Sequence, residues 1–285
     1  MRFIDQGRGR TLVFIPGLQG RWEFTRGTVD ALSSRFRTLT FSLGDEPSAR
    51  FPFQPERGFD SYADQVAAVL DRTGTDRAIV CGLSFGGLVA LKFAARQPER
   101  VEALVLASAP GPGWRLRRRH EIYARFPWVF GPIFLMEAPM RARSELRAAF
   151  PDSAARRAFV WRLVRTLATA PISVTRMARR ARLIGTYDSA SDCARIAAPT
   201  LVVTGEANLD HVVPVDGSSR YVELIAGARQ SVLRNSGHQG TLTRPDAFAA
   251  TVGEFTGETT REEKREEKRD EKTRDDKTPT PGRVA

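Results

Sequence analysis

Short apolar runs alternate with amphipathic stretches along most of this chain. Residues 11–15, 78–81, 101–106 and 199–205 are rich in Val, Leu and Ile and are bounded by polar residues or glycine. That is the pattern of strands buried on both faces. Residues 2–6, 38–43 and 230–234 are shorter strand candidates, and 2–6 is expected to pair with 11–15 through a turn at Gly7–Gly9. Helical spacing appears in 28–36, in 60–72 with Asp60 or Ser61 as its N-cap, in 89–95, and from Arg244-Pro245-Asp246 onward. Alternation of strand and helix predicts the α/β class: a mostly parallel, doubly wound sheet with helices on both faces.

The alternation breaks between residues 111 and 197, where helical periods replace it. In 154–167 the residues Phe159, Val160, Leu163, Val164 and Leu167 share one face, and a second helix is expected over 174–183. The organisation expected is therefore a core of residues 1–110 and 198–256, a helical insertion at 111–197 acting as a cap, and a tail at 257–285. The tail repeats a mixed-charge pattern from Arg261 to Lys272 without a large apolar residue, so it is expected to be disordered.

Charge sharpens this division. From Gly111 to Ile196 there are 17 Arg, no Lys and 6 acidic residues, an excess equal to the +11 of the whole chain. Three readings stay open: a solvated face, electrostatic steering of an anionic substrate, and contact with anionic lipid, the last being the least favoured. Arginine's planar fork suits carboxylate or phosphate groups. The apolar run Phe126 to Met136 is too short and too interrupted by proline to span a bilayer. It can line an acyl pocket or dip into an interface. No nucleic-acid motif accompanies the charge, so nucleic acid is not expected as a partner.

Chemistry enters at Gly82-Leu83-Ser84-Phe85-Gly86, directly after the apolar run 78–81 and before a helix. A serine between glycines at a strand-to-helix turn is the G-x-S-x-G nucleophile elbow. Serine is a weak nucleophile and needs a base, with a carboxylate to orient that base. The chain has three histidines, His120, His211 and His238. His238 is best placed, in a loop after 230–234, and Asp210 follows the strand-like 199–205. His211 reads as a solvated loop residue or a second base, His120 as a surface residue, and Trp22 as an overhang of the site or a packing residue.

The order Ser84, Asp210, His238 resembles that of α/β-hydrolase fold members. So do Phe14-Ile15-Pro16-Gly17-Leu18, Asp210-His211-Val212-Val213-Pro214 and Gly237-His238. The stretch from Gly82 to Val105 is similar to the enol-lactonase, haloperoxidase and small-ester-hydrolase branch. The resemblance implies an acyl-enzyme mechanism, with the backbone N–H groups of Leu18 and Phe85 as the oxyanion hole. Two positions depart from the family pattern. Pro16-Gly17 stands where many relatives carry His-Gly, and Glu206 is a rival to Asp210 as the triad acid. Val212-Val213-Pro214 places Asp210 in the family's register.

The resulting expectation is a serine hydrolase acting on a carboxylic ester, thioester or lactone, with a small-molecule substrate that is anionic or acyl-chain-bearing. The same triad also serves C–C bond hydrolysis, perhydrolysis or acyl transfer, and a non-catalytic binder of a small ligand is the alternative of another class. No cofactor or metal is expected, since neither a nucleotide loop nor metal-ligand spacing occurs. Two cysteines, Cys81 and Cys193, far apart in sequence, suggest no disulfide framework. With no signal-peptide pattern after Met1, a cytoplasmic location is expected. The oligomeric state is left open.

Overall fold

The computed structural model describes residues 1–257, so the mixed-charge tail lies outside the described residues. The first half runs β1 (Ile4–Gly7), β2 (Thr11–Ile15), α1 (Arg26–Ser33), β3 (Arg37–Thr40), α2 (Phe59–Arg72), β4 (Ala78–Leu83), α3 (Phe85–Arg96) and β5 (Val101–Ala107). Six helices then interrupt the sheet: α4 (Arg118–Arg125), α5 (Pro127–Met136), α6 (Ala138–Ala149), α7 (Ser153–Thr169), α8 (Val174–Ile184) and α9 (Ser189–Cys193). The chain returns through β6 (Thr200–Thr204), α10 (Val215–Leu224), β7 (Arg229–Val232), α11 (Gly240–Thr243) and α12 (Pro245–Thr256).

The strands form one sheet in the order β1-β3-β2-β4-β5-β6-β7. Only β1 is antiparallel to its neighbour. Both faces are covered, which is why the central strands read as unbroken apolar runs. Side chains of β2 alternate, Val13 and Ile15 packing into the layer that holds α2 and α3. Leu12 and Phe14 pack into the opposite layer with α1 and α12.

Two local expectations are corrected. β1 pairs with β3, Ile4 opposite Thr40, and not with β2. The reason is that β2 sits inside the sheet, with β3 on one edge and β4 on the other. The N-cap of α2 is Gly58 at φ 54°, not Asp60 or Ser61. The Asp60 carboxylate instead lies 3.2 Å from Arg96, and the Ser61 hydroxyl accepts the Gln54 N–H at 3.0 Å.

The inserted helices differ in how they attach. α8 buries Met177, Ala178, Arg180, Ala181 and Ile184, and α9 carries Cys193 into the main core. By contrast α7, 17 residues long, buries only Phe159. α5 has no charged side chain in its ten residues and encloses Pro132, yet Trp128 is 81% exposed. Among the described residues no helix is long and apolar enough to cross a membrane. Cys81 and Cys193 are both buried and free.

Candidate active site

The turn from β4 into α3 holds Ser84 at φ 53° and ψ −115°. A non-glycine residue in such a region costs about 1–3 kcal/mol and persists only where its surroundings enforce it. Here the Ser84 N–H donates to the Ala107 carbonyl of β5 at 2.7 Å. A Cβ on Gly82 would overlap the Gly86 carbonyl, and one on Gly86 would overlap the Ile15 carbonyl of β2. The two flanking glycines are thus what let strand, turn and helix pass so closely.

His238 reaches Ser84 from the loop after β7. Its Nε2 stands 3.1 Å from Ser84 Oγ, and its Nδ1 stands 3.3 Å from Asp210 Oδ2. The other Asp210 oxygen accepts the N–H groups of Val212 and Val213, each at 2.9 Å. Burial alone would raise the Asp210 carboxyl. The His238 hydrogen bond and charge, with the Val213 and Val212 N–H groups, outweigh it and hold the carboxyl below its ordinary value. Glu206, the rival acid, turns away and accepts the Asn235 N–H at 3.0 Å. Each half of the arrangement follows from parallel strands: β4, β6 and β7 all end at the same edge of the sheet, so their following loops meet.

Ser84 and His238 border a cavity of about 540 Å³ between the sheet edge and the inserted helices. Leu18, Gln19 and Trp114 line it from the core side. One face of α5, with Pro127, Gly131, Phe134 and Leu135, lines it from the other. The opposite face of α5, with Trp128, Val129 and Met136, is exposed. Trp22 is not among the lining residues and packs under the Arg26 guanidinium, 4.7 Å away. His211 lines the cavity, but its Nε2 meets Ser144 Oγ at 3.0 Å rather than Ser84. No group of three metal-ligating side chains occurs among the described residues.

Two buried charges from the inserted helices touch the loops that surround Ser84, and sequence reasoning missed both. Arg180 of α8 is fully buried. It donates to the Leu18 carbonyl at 2.8 Å, to Asp45 at 2.7 Å and to Glu46 at 2.6 Å. Arg176, one turn earlier, lies 3.0 Å from the other Glu46 oxygen. The available signal was positional. Arg180 shares the apolar face of its helix with Met177, Ala181 and Ile184, where a charge demands a partner. Asp45 and Glu46 were in view just beyond the strand at 38–43.

The second buried charge is Glu145 of α6, 3% exposed. It accepts the Gln239 N–H at 3.1 Å and the Thr243 hydroxyl at 3.3 Å. Burial pushes its carboxyl up, and the Gln239 and Gly237 N–H groups, the His238 charge and Thr243 only partly offset this. Nothing in the sequence distinguished Glu145 from the other acids of the insertion.

The model of the alpha/beta hydrolase fold family matches residues 10–245. The chain is 27% identical to 2-hydroxymuconate semialdehyde hydrolase of Pseudomonas sp. strain CF600, covering 88% of each chain. It is 27% identical to a pimeloyl-[acyl-carrier protein] methyl ester esterase of Nitrosomonas europaea, covering 86% of this chain and 94% of the relative. Its fold is similar to that of the enol-lactonase from Burkholderia xenovorans LB400, with a TM-score of 0.71 at 24% identity over 89% of this chain and 95% of that one. The family match takes in every strand but the first together with the whole helical insertion, and on it the chain belongs to the alpha/beta hydrolase fold, a family of enzymes.

Proposed function

We propose that this enzyme is a serine hydrolase that cleaves a carboxylic ester, thioester or lactone through an acyl-enzyme. The observation that carries the reading is the unbroken line of contacts from Ser84 through His238 to Asp210 at the wall of the cavity. His238 Nε2 accepts the Ser84 proton as Oγ attacks the carbonyl, then returns it to the leaving alcohol or thiol. Asp210 keeps the Nδ1 proton in place and stabilises the imidazolium that forms. The N–H groups of Leu18 and Phe85 are the donors to the oxyanion, Phe85 opening α3 where uncapped N–H groups face outward. A water activated by His238 then releases the acid.

In this reading the helices from α4 to α8 act as a cap. They cover Ser84 with apolar side chains, which strengthens each electrostatic contact below them. The apolar inner face of α5 serves as the acyl wall, so medium-length acyl esters are turned over faster than acetate. A 4-nitrophenyl ester series from acetate to dodecanoate tests this on wild type and Ser84→Ala. A maximum at middle lengths that is lost in the variant supports the reading. Hydrolysis undiminished in Ser84→Ala overturns it.

A further inference from the structure

The cavity is electrically lopsided. Its charged wall residues are Glu145, against the histidine loop, and Arg115, Arg117 and Arg141. His120 and Tyr123 line the same region as the arginines. That region has too few anions for its cations. Glu137 is shared between Arg119 and Arg141, with 3.2 Å to the latter. Arg141 is otherwise committed to the Phe134 carbonyl at 2.8 Å and to the face of the Phe134 ring. Arg115 donates a long 3.4 Å bond to the Gly185 carbonyl.

Two groups are left over. Among the described residues, neither Arg117 nor His120 has a side-chain hydrogen bond or ion pair, and His120 makes only edge contacts with Tyr123 and Phe134. Burial first, then Arg141, Arg117 and Arg119, hold the imidazole of His120 below its ordinary value, with Glu137 pulling the other way. The His120 ring has an N–H to donate, beside the guanidiniums of Arg117 and Arg141. Arg117 is exposed while lining the cavity, so the cavity reaches solvent on this side.

We infer that Arg117 and His120, with Arg141 behind them, form a subsite for a carboxylate on the substrate, separated from the scissile ester by an apolar chain. The inference rests on the ester-hydrolase reading and names its substrate class: a half-ester of a dicarboxylic acid, or an ester of like charge and length. The spacer lies along the apolar wall made by Phe134, Leu135 and Met177. Arg117 supplies a fork to the two carboxylate oxygens, and His120 adds a single donor. This accounts for two cavity arginines, Arg117 and Arg141, that contribute neither to the sheet core nor to the clamp on Asp45 and Glu46.

The test compares mono-4-nitrophenyl suberate with 4-nitrophenyl octanoate, which match in chain length and differ in one terminal carboxylate. Wild type is expected to prefer the suberate in kcat/KM by about tenfold or more, the effect of one charge-assisted contact. The preference shrinks as salt is added. Arg117→Ala is expected to collapse the ratio towards one through KM, and Arg117→Lys to restore it in part. Arg165→Ala, an exposed cation on α7 outside the cavity wall, keeps the ratio. Octanoate cleaved as well as suberate, or a ratio unchanged in Arg117→Ala, overturns the subsite while leaving the hydrolase reading intact. Failure of both esters, together with absence of fluorophosphonate labelling at Ser84, overturns the hydrolase reading itself.

Discussion

The sheet and the helices from α4 to α7 are built on different terms. In the sheet layer, whole strands are buried: every residue of β4 and of β6 is enclosed. Polar groups there are few, and position is set by close backbone packing around Ser84. In α4 to α7 the reverse holds. Trp128, Met136, Met140 and Trp161 stand more than half exposed, while Glu145 is buried. Two buried charges of the insertion touch the loops around Ser84, Glu145 against the histidine loop and Arg180 of the neighbouring α8 against the Leu18 loop, and the Ser144 hydroxyl meets His211 of the Asp210 loop. Apolar packing thus makes the platform that holds Ser84, and buried polar contacts of Arg180 and Glu145 lie between that platform and the helices above it. Such polar attachments are directional.

Breaking the platform's chemistry has the largest expected effect. Ser84→Ala should lower kcat by several powers of ten while the melting temperature stays close to wild type, and His238→Ala should lower kcat as far and also lower the melting temperature, because Asp210 loses its partner. Steady-state kinetics beside thermal melts check this. Breaking the roof's clamp comes next. Arg180→Met leaves Asp45 buried without its partner and Glu46 with Arg176 alone, and a broken buried pair costs about 3–5 kcal/mol. It also frees the Leu18 carbonyl, so kcat should fall more than KM changes. Urea unfolding and kinetics measure both, with Arg165→Ala as the outward-facing comparison, expected within about 0.5 kcal/mol of wild type.

Two of the buried acids sharpen the contrast through pH, with opposite signs. Asp210 of the platform has a folded-state value below its unfolded one. Its contribution to stability is present above the unfolded value and is lost as pH falls through the folded value. The stability gap between wild type and Asp210→Asn should therefore narrow in acid. Glu145 of the roof has a folded value above its unfolded one, so its ionisation costs stability as pH rises from the unfolded towards the folded value. Glu145→Gln keeps the shape and removes the charge, so its melting temperature should gain on wild type as pH rises through that window. This is the smallest effect of the set. A gain that shrinks with rising pH would contradict the burial of an ionised Glu145.

Much of the platform was legible in the sequence because its rules are local. Apolar runs of the right length mark strands buried on both faces, and a serine between glycines after such a run marks the elbow. The edge order was not legible. Whether β1 joins β2 or β3 depends on which edge of β2 is free, and that is a property of the whole sheet. The N-cap of α2 escaped for a similar reason, since Asp60 is drawn off by Arg96 of another helix. A charge total over the insertion hides its division. Arg176 and Arg180 face the core acids, and Arg115, Arg117 and Arg141 face the cavity. Most of the others face solvent. Only the position of Arg180 on an apolar helix face announced its burial. Glu145 had no such mark, because its partners are backbone N–H groups on a distant loop.

The most direct measurement is intact mass after treatment with a fluorophosphonate, on wild type and on Ser84→Ala. One adduct on wild type and none on the folded variant is the result expected of a serine activated by His238. An unlabelled wild type, or an adduct that persists in Ser84→Ala, would contradict the assignment of Ser84 as the nucleophile.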